Sequence, residues 1–237
     1  MNLVKNCFTI LIFILFSGVY LSSYASKDKL YKKSKWEILN TEKWRGINSE
    51  DFPSSGWISK GNTITVLSGK NGGDIITKEK YSDFELVLEF NLTQSANSGI
   101  KYFVEIIQNP KNKKVIGMGP EYQVIDDFNH KEVKDNQFSA GSTGALYLLY
   151  KPSKVKKLLP AGKWNKVRII AKGGQVEHWL NGEKVVSYER GSGEFRKLVA
   201  ASKFKDVKGY GEAKEGYILL QEHKDEASFR NIKIRRL

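Results

Sequence analysis

The chain has 237 residues, 40% of them hydrophobic, and its 39 lysines and arginines against 26 acids give a formal charge of +13. That length allows one substantial core, and the single cysteine, Cys7, excludes a disulfide framework, a cysteine nucleophile and thiolate zinc sites from the body of the chain. The basic balance favours anionic surfaces and polymers in general, but the lysines are scattered, with only short clusters such as KPSKVKK (151–157), and no nucleic-acid motif is present.

The N-terminus reads as an export signal. Lys5 supplies the positive start, CFTILIFILFSGVYL (7–21) the apolar run, and Ser23 and Ala25 the small residues before a cut at Ser26. An uncleaved membrane anchor is the alternative, although the run is short for a comfortable span. Cys7 opens the apolar run instead of following it, so it is not a lipoprotein acylation site. Cleavage of 1–25 removes the only cysteine and leaves 26–237 as one exported domain, periplasmic or extracellular. No later run reaches membrane-spanning length.

Behind the signal come short strands and turns. NTITVLSG (62–69) alternates and stops at glycine, and GGDIITKEKYSDFELVLEFNLT (72–93) holds two strands around a polar turn. SGIKYFVEII (98–107), EYQVIDD (121–127), TGALYLLY (143–150), NKVRIIAKG (165–173), GYILLQEH (216–223) and ASFRNIKIRRL (227–237) read as further strands. QVEHWLNGEKVVSYE (175–189) is a hairpin, because Asn181-Gly182 is the favoured type I′ pair. The stretch 190–215 breaks this rhythm. Phe195, Leu198, Val199 and Phe204 fall on one face of a short helix near 194–205. Such spacing predicts an all-β sandwich or barrel with one helical insertion.

Strand parity points to a site. In EYQVIDD, Glu121, Gln123, Ile125 and Asp127 share one face and Tyr122, Val124 and Asp126 the other. Near the C-terminus, Leu219, Gln221 and His223 oppose Ile218 and Leu220. If Val124 and Leu220 line the core, two strands present polar groups to one open face, a groove suited to sugars. The acids Asp126 and Asp127 with His130 come next in a turn and offer oxygen and imidazole ligands for a divalent cation, though their spacing matches no specific metal motif. His178 alternates with Val176 and Leu180 and should point inward.

In this order the motifs GGDIITKEKYSDFELVLEF, NSGIKYFV, GPEYQVIDD, TGALYLLY, GKWNKVRIIAKGGQVEHWLNGEKVVSYERGSGEF and GEAKEGYILLQEHKDEASFRNIKIRRL resemble the 3-keto-disaccharide hydrolase family, over roughly residues 36–237. That family was long a domain of unknown function, and its members often carry a provisional glycosyl hydrolase label. The resemblance implies a concanavalin A-like jelly roll of two antiparallel sheets, export by glycan-degrading bacteria, and an oxidised disaccharide or glycoside as partner. The chain departs from the family at ILNTEKWRGI (38–47) and at Glu222 and Lys224, which flank His223. FNHKEV (128–133) also lacks an expected acid, which weakens a metal role for that loop.

A ketone at C3 acidifies the C2 proton, so the C1 leaving group can depart by elimination, followed by hydration. Such chemistry needs a base, an acid and an electrophile for the enolate. Parity nominates His223 and Glu121 as catalytic groups, and the acidic turn adds His130 as a base or a ligand. Gln123, Gln221, Lys101, Tyr147 and Trp179 are nominated to bind sugar, with Tyr102 as another ring for stacking and Lys101 for the enolate, on a face with Phe103 and Glu105. Glu121 and Asp127 stand six residues apart, about 20 Å on an extended strand, too far to form a glycosidase carboxylate pair. The rival to an enzyme is a non-catalytic, lectin-like carbohydrate-binding module on the same fold.

Overall fold

The computed structural model describes residues 35–109 and 112–237; the expected signal segment, 1–25, lies outside them. Among the described residues fourteen strands form in chain order, where β-branched and aromatic residues recur. They are β1 (Glu37–Ile38), β2 (Trp44–Gly46), β3 (Trp57–Lys60), β4 (Thr63–Val66), β5 (Ile75–Thr77), β6 (Phe84–Leu92) and β7 (Asn97–Gln108). Then come β8 (Val115–Met118), β9 (Glu121–Ile125), β10 (Asn165–Lys172), β11 (Gln175–Leu180), β12 (Glu183–Glu189), β13 (Tyr217–Leu220) and β14 (Ala227–Arg236). A helix, α1 (Gly193–Ala200), stands between β12 and β13.

The strands make two antiparallel sheets. The larger runs β12-β11-β10-β6-β14-β4-β3, with β1 added beside β14; the smaller runs β2-β5-β13-β7-β8, with β9 on the first half of β7. Alternation sets the core between them. In β10, Val167, Ile169 and Ala171 are buried while Lys166 and Lys172 are exposed. From the smaller sheet Ile100, Tyr122, Val124, Ile218 and Leu220 meet the same core. Each large apolar side chain so buried contributes about 1.5–3 kcal/mol.

Asn181 (φ 49°) and Gly182 (φ 90°) form the tip of the β11–β12 hairpin, both left-handed as a type I′ turn requires. The helix is shorter than 194–205. Ser192 caps it by accepting from the Phe195 amide, Phe195 stacks on Tyr188, and the helix ends at Ala200, leaving Phe204 buried in the turns beyond it. TGALYLLY is not a strand. Residues 144–147 bond to the edge of β9, through Gly144 N to Gln123 O and Tyr147 N to Glu121 O. Leu146 to Tyr150 then curl into a turn, with Leu148 at φ 62°.

A bulge in β7 overturns the expected grouping of Lys101 with Phe103 and Glu105. Tyr217 pairs Val104 but Leu219 pairs Lys101, so Tyr102 and Phe103 together face the single residue Ile218. Phe103 takes φ 50° and turns into the core beside Tyr102. Lys101 and Val104 are left on the opposite face. Tyr102 is therefore a core residue, not a sugar platform, and its hydroxyl bonds to His178 and Tyr188.

His178 is fully buried, with Nδ1–H donating to Gly144 O at 3.0 Å and Nε2 lying 2.7 Å from Tyr102 Oη. Burial favours the neutral ring, in which Nε2 accepts from Tyr102, and pushes the group down to about 4. The unfolded chain protonates the same ring near pH ~6.5, so its contribution is complete above that pH and lost as pH falls toward 4. Urea unfolding from pH 7 to pH 4 should show about 3 kcal/mol of lost stability from this group. His178→Gln should flatten that slope, and an unchanged slope would contradict a buried neutral His178.

Candidate active site

The outer face of the smaller sheet carries a pocket of about 170 Å³. Strands β7 and β9 supply Asn97, Lys101, Glu121 and Gln123, the turn after β13 supplies Gln221 and His223, and Tyr147, Lys203 and Phe204 close its sides. Of the candidates read from the sequence, Glu121, Gln123, Lys101, Tyr147, Gln221 and His223 meet here.

Local bonding explains the convergence. Gln221 N donates to Gly99 O at 3.0 Å and Ser98 Oγ to Gln221 O at 2.8 Å, extending the β13–β7 contact past the end of β13. Glu222 N donates to Asp74 Oδ1 at 2.9 Å and fixes the turn bearing the exposed His223. Gly99 is required for Glu121, because a Cβ at 99 would stand 2.3 Å from Glu121 Oε1.

Glu121 is 6% exposed, and no hydrogen-bond donor among the described residues reaches its carboxylate. Its ion pair is loose, with Lys101 Nζ at 4.0 Å. Burial raises its pKa above the ordinary carboxylate value; Lys101, Lys203 and His223 oppose the shift, and Asp74 adds to it. Asp74 is itself raised by burial, against Lys101. Gln123 is 2% exposed; its amide donates to Asn97 Oδ1 at 3.4 Å, and its Oε1 has no partner among the described residues. A buried acceptor left open toward a pocket is suited to a ligand hydroxyl.

The acidic turn does not join this pocket. Asp126 Oδ2 accepts from Ser95 N and Asn129 Nδ2, and its Oδ1 accepts from Phe128 N. Asp127 turns inward, accepting from Thr143 N at 2.8 Å and from Lys156 Nζ at 2.6 Å. His130 lies apart from the pocket lining, and its Nδ1 accepts from Glu132 N at 3.2 Å. Asp126, Asp127 and His130 are thus committed to shaping the turn, and among the described residues no group of three such side chains converges as a cation site. Neither a catalytic nor a metal role for His130 has geometric support.

Trp179 is also displaced from its expected place. Because His178 faces the core, Trp179 lies on the outer face of the larger sheet. There it donates to Glu177 Oε2 and lies beside Arg168 and Lys184. Asp74, Asn97 and Lys203 were not among the candidates. Asn97 could have been suspected as an amide at the start of a strand whose register leads to Lys101, whereas nothing distinguishes Lys203 within a lysine-rich insertion. A larger cavity, about 530 Å³, lies in the other sheet where β14 is irregular at Asn231. The carboxylate in its lining, Glu89, is bonded to Arg230 and Asn231, so the smaller pocket holds the unpaired chemistry.

Residues 35–235 match the family model described as the 3-keto-alpha-glucoside-1,2-lyase-like domain. The chain belongs to this family. A curated relative, the 3-keto-disaccharide hydrolase of Bacteroides thetaiotaomicron, is 32% identical over 214 residues, covering 81% of this chain and 73% of the relative. Two crystal structures from Parabacteroides distasonis, each provisionally named a glycosyl hydrolase, share the fold. One is 30% identical with a TM-score of 0.73 and coverage of 86% of this chain and 94% of its own; the other is 25% identical at 0.59, covering 86% and 100%. A Bacillus subtilis protein with a galectin-like fold, 13% identical at TM-score 0.50 and covering 85% of this chain and 94% of its own, shows the fold alone. Membership of the 3-keto-alpha-glucoside-1,2-lyase-like family, with the Bacteroides and Parabacteroides relatives, supports a glycosidase-like role.

Buried charge also holds the loop beside the pocket. Lys156 and Asp127, 3% and 1% exposed, pair with each other, and Lys156 also donates to Gln137 O and Ser142 Oγ. Lys156→Met leaves Asp127 uncompensated and should destabilise the domain by about 3–5 kcal/mol in urea unfolding. Lys156→Met with Asp127→Asn should recover part of that loss. A single variant as stable as wild type would show that the pair does not hold this loop.

Proposed function

We propose that the protein is an exported enzyme that cleaves 3-keto-glycosides by elimination and hydration. The observation carrying this reading is Glu121, a carboxyl buried without a hydrogen-bond donor and facing a pocket shared with His223. Burial raises its proton affinity, as a carbon-acid base requires. The family's name and that of the Bacteroides relative support an oxidised sugar as substrate. A pocket of about 170 Å³ has room for a sugar ring, with Gln123 Oε1 accepting from a hydroxyl and Tyr147 forming a wall.

In this mechanism Glu121 takes the proton from C2, and the electron pair forms an enolate with the C3 oxygen. The pair then returns to regenerate the C3 ketone and close a C1–C2 double bond as the C1–O bond breaks. His223, exposed at the pocket mouth, gives a proton to the departing oxygen. Water then adds hydroxide to C1 and a proton to C2, so overall one water is consumed and one glycosidic bond lost. Lys101 keeps Glu121 from being wholly uncompensated when it is ionised.

Incubating the protein with a 3-keto-disaccharide and with the unoxidised disaccharide should release sugar from the ketone only. Glu121→Gln and His223→Ala should each slow turnover by about 10²- to 10⁴-fold with little change in melting temperature. Equal cleavage of the unoxidised sugar would sink the elimination route, and binding without turnover would mark a lectin-like module. Export rests on the N-terminal pattern of Lys5, the apolar run and Ala25. Intact mass of the protein recovered from its native host should begin at Ser26; retention of 1–25 would contradict export by cleavage.

A further inference from the structure

The insertion between β12 and β13 brings to the pocket a cation that the strands do not supply. Lys203 lines the pocket, and its ammonium stands 4.5 Å from the Tyr147 ring centroid and 5.3 Å from that of Phe204. No hydrogen-bond acceptor or carboxylate among the described residues is paired with it. Its charged neighbours are Glu121, Lys101 and Glu132, at electrostatic range only. An aromatic face holds an ammonium without consuming its three N–H donors.

Lys101 is situated differently. Its Nζ lies 4.0 Å from Glu121 and donates to Gly117 O at 3.4 Å, and Asp74 is a further anionic neighbour. Both lysines border the same space, but only Lys203 is uncommitted. Its placement is also secured. Phe204, the next residue, stacks on Tyr210 at 4.2 Å, and Tyr210 Oη donates to Gly119 O at 3.1 Å, two residues before Glu121. Arg190 donates to Gly211 O at 3.0 Å and covers Phe103 at the β7 bulge, tying the insertion to the sheet.

We infer that Lys203 receives the oxyanion that forms at the substrate's C3 oxygen as Glu121 removes the C2 proton. This inference rests on the reading of the pocket as a 3-keto-glycoside site. Lys203 keeps its proton throughout. Its N–H bond to the C3 oxygen shortens as the carbonyl pair moves onto that oxygen, and relaxes when the pair returns and the C1–O bond breaks. Lys101 stays with Glu121.

The test compares wild type with Lys203→Met, which keeps the apolar stem over Tyr147, and Lys203→Arg, which keeps the charge. With a 3-keto-disaccharide as substrate, Lys203→Met should lose about 10²- to 10³-fold in kcat with a much smaller change in KM. Lys203→Arg should recover most of that loss. Because Lys203 is exposed, the melting temperature of each variant should match wild type. Lys203→Met turning over at the wild-type rate while Glu121→Gln is impaired would overturn the role of Lys203 alone. A loss confined to KM would overturn it too, leaving a binding contact. A wild-type protein inert toward the ketone would overturn the pocket reading and this inference together.

Discussion

Glu121 lies almost out of water beside Lys101, at 4.0 Å, with no donor bonded to its carboxylate. Burial of a carboxyl disfavours its charged form, so the surroundings must be rigid enough to hold it there. Gly99 leaves the space that its carboxylate fills. On the other strand edge, Tyr147 N bonds to Glu121 O, and the turns from 144 to 150 cover β9. A strand normally half-exposed is thereby buried at every position.

The sandwich supplies that rigidity through features away from the pocket. Two residues of β7 oppose one of β13, so Tyr102 and Phe103 both join the core while Lys101 stays beside Glu121. Tyr102 continues into His178 and Tyr188, a satisfied polar line between the sheets. Tyr188 stacks on Phe195 of α1, so the insertion that carries Lys203 is packed against the same core as the strands. The pocket is thus assembled from one sheet, the turns that carry Tyr147 and one insertion.

The strands of the sandwich were legible where alternation is clean, as in β10 and in the Asn181-Gly182 hairpin, while their order within each sheet was not. The grouping of Glu121 and Gln123 with Gln221 and His223 came from parity, since Val124 and Leu220 need the core. Parity failed where the backbone departs from period two. A bulge at Phe103 reverses the face of the residues after Tyr102, and Leu148 at φ 62° ends a run that looks like a strand. Trp179 was misplaced because parity assigns a face within a sheet but not which sheet carries the pocket. Asp126 and Asp127 look available in a linear reading, and only long-range bonds to Ser95, Thr143 and Lys156 show them to be occupied. Lys203 lies in an insertion without periodicity, so its approach to Tyr147 exists only in three dimensions.

Removal of the C2 proton is the step on which the whole account depends. Cleavage of a 3-keto-disaccharide in D₂O, with the released keto sugar read by mass spectrometry and NMR against the same sugar kept without enzyme, tests it directly. Elimination and hydration predict deuterium at C2 of the released ring above the background exchange. Release of a sugar that keeps its original hydrogen at C2 would contradict the account, since the bond would then have broken without Glu121 acting on C2.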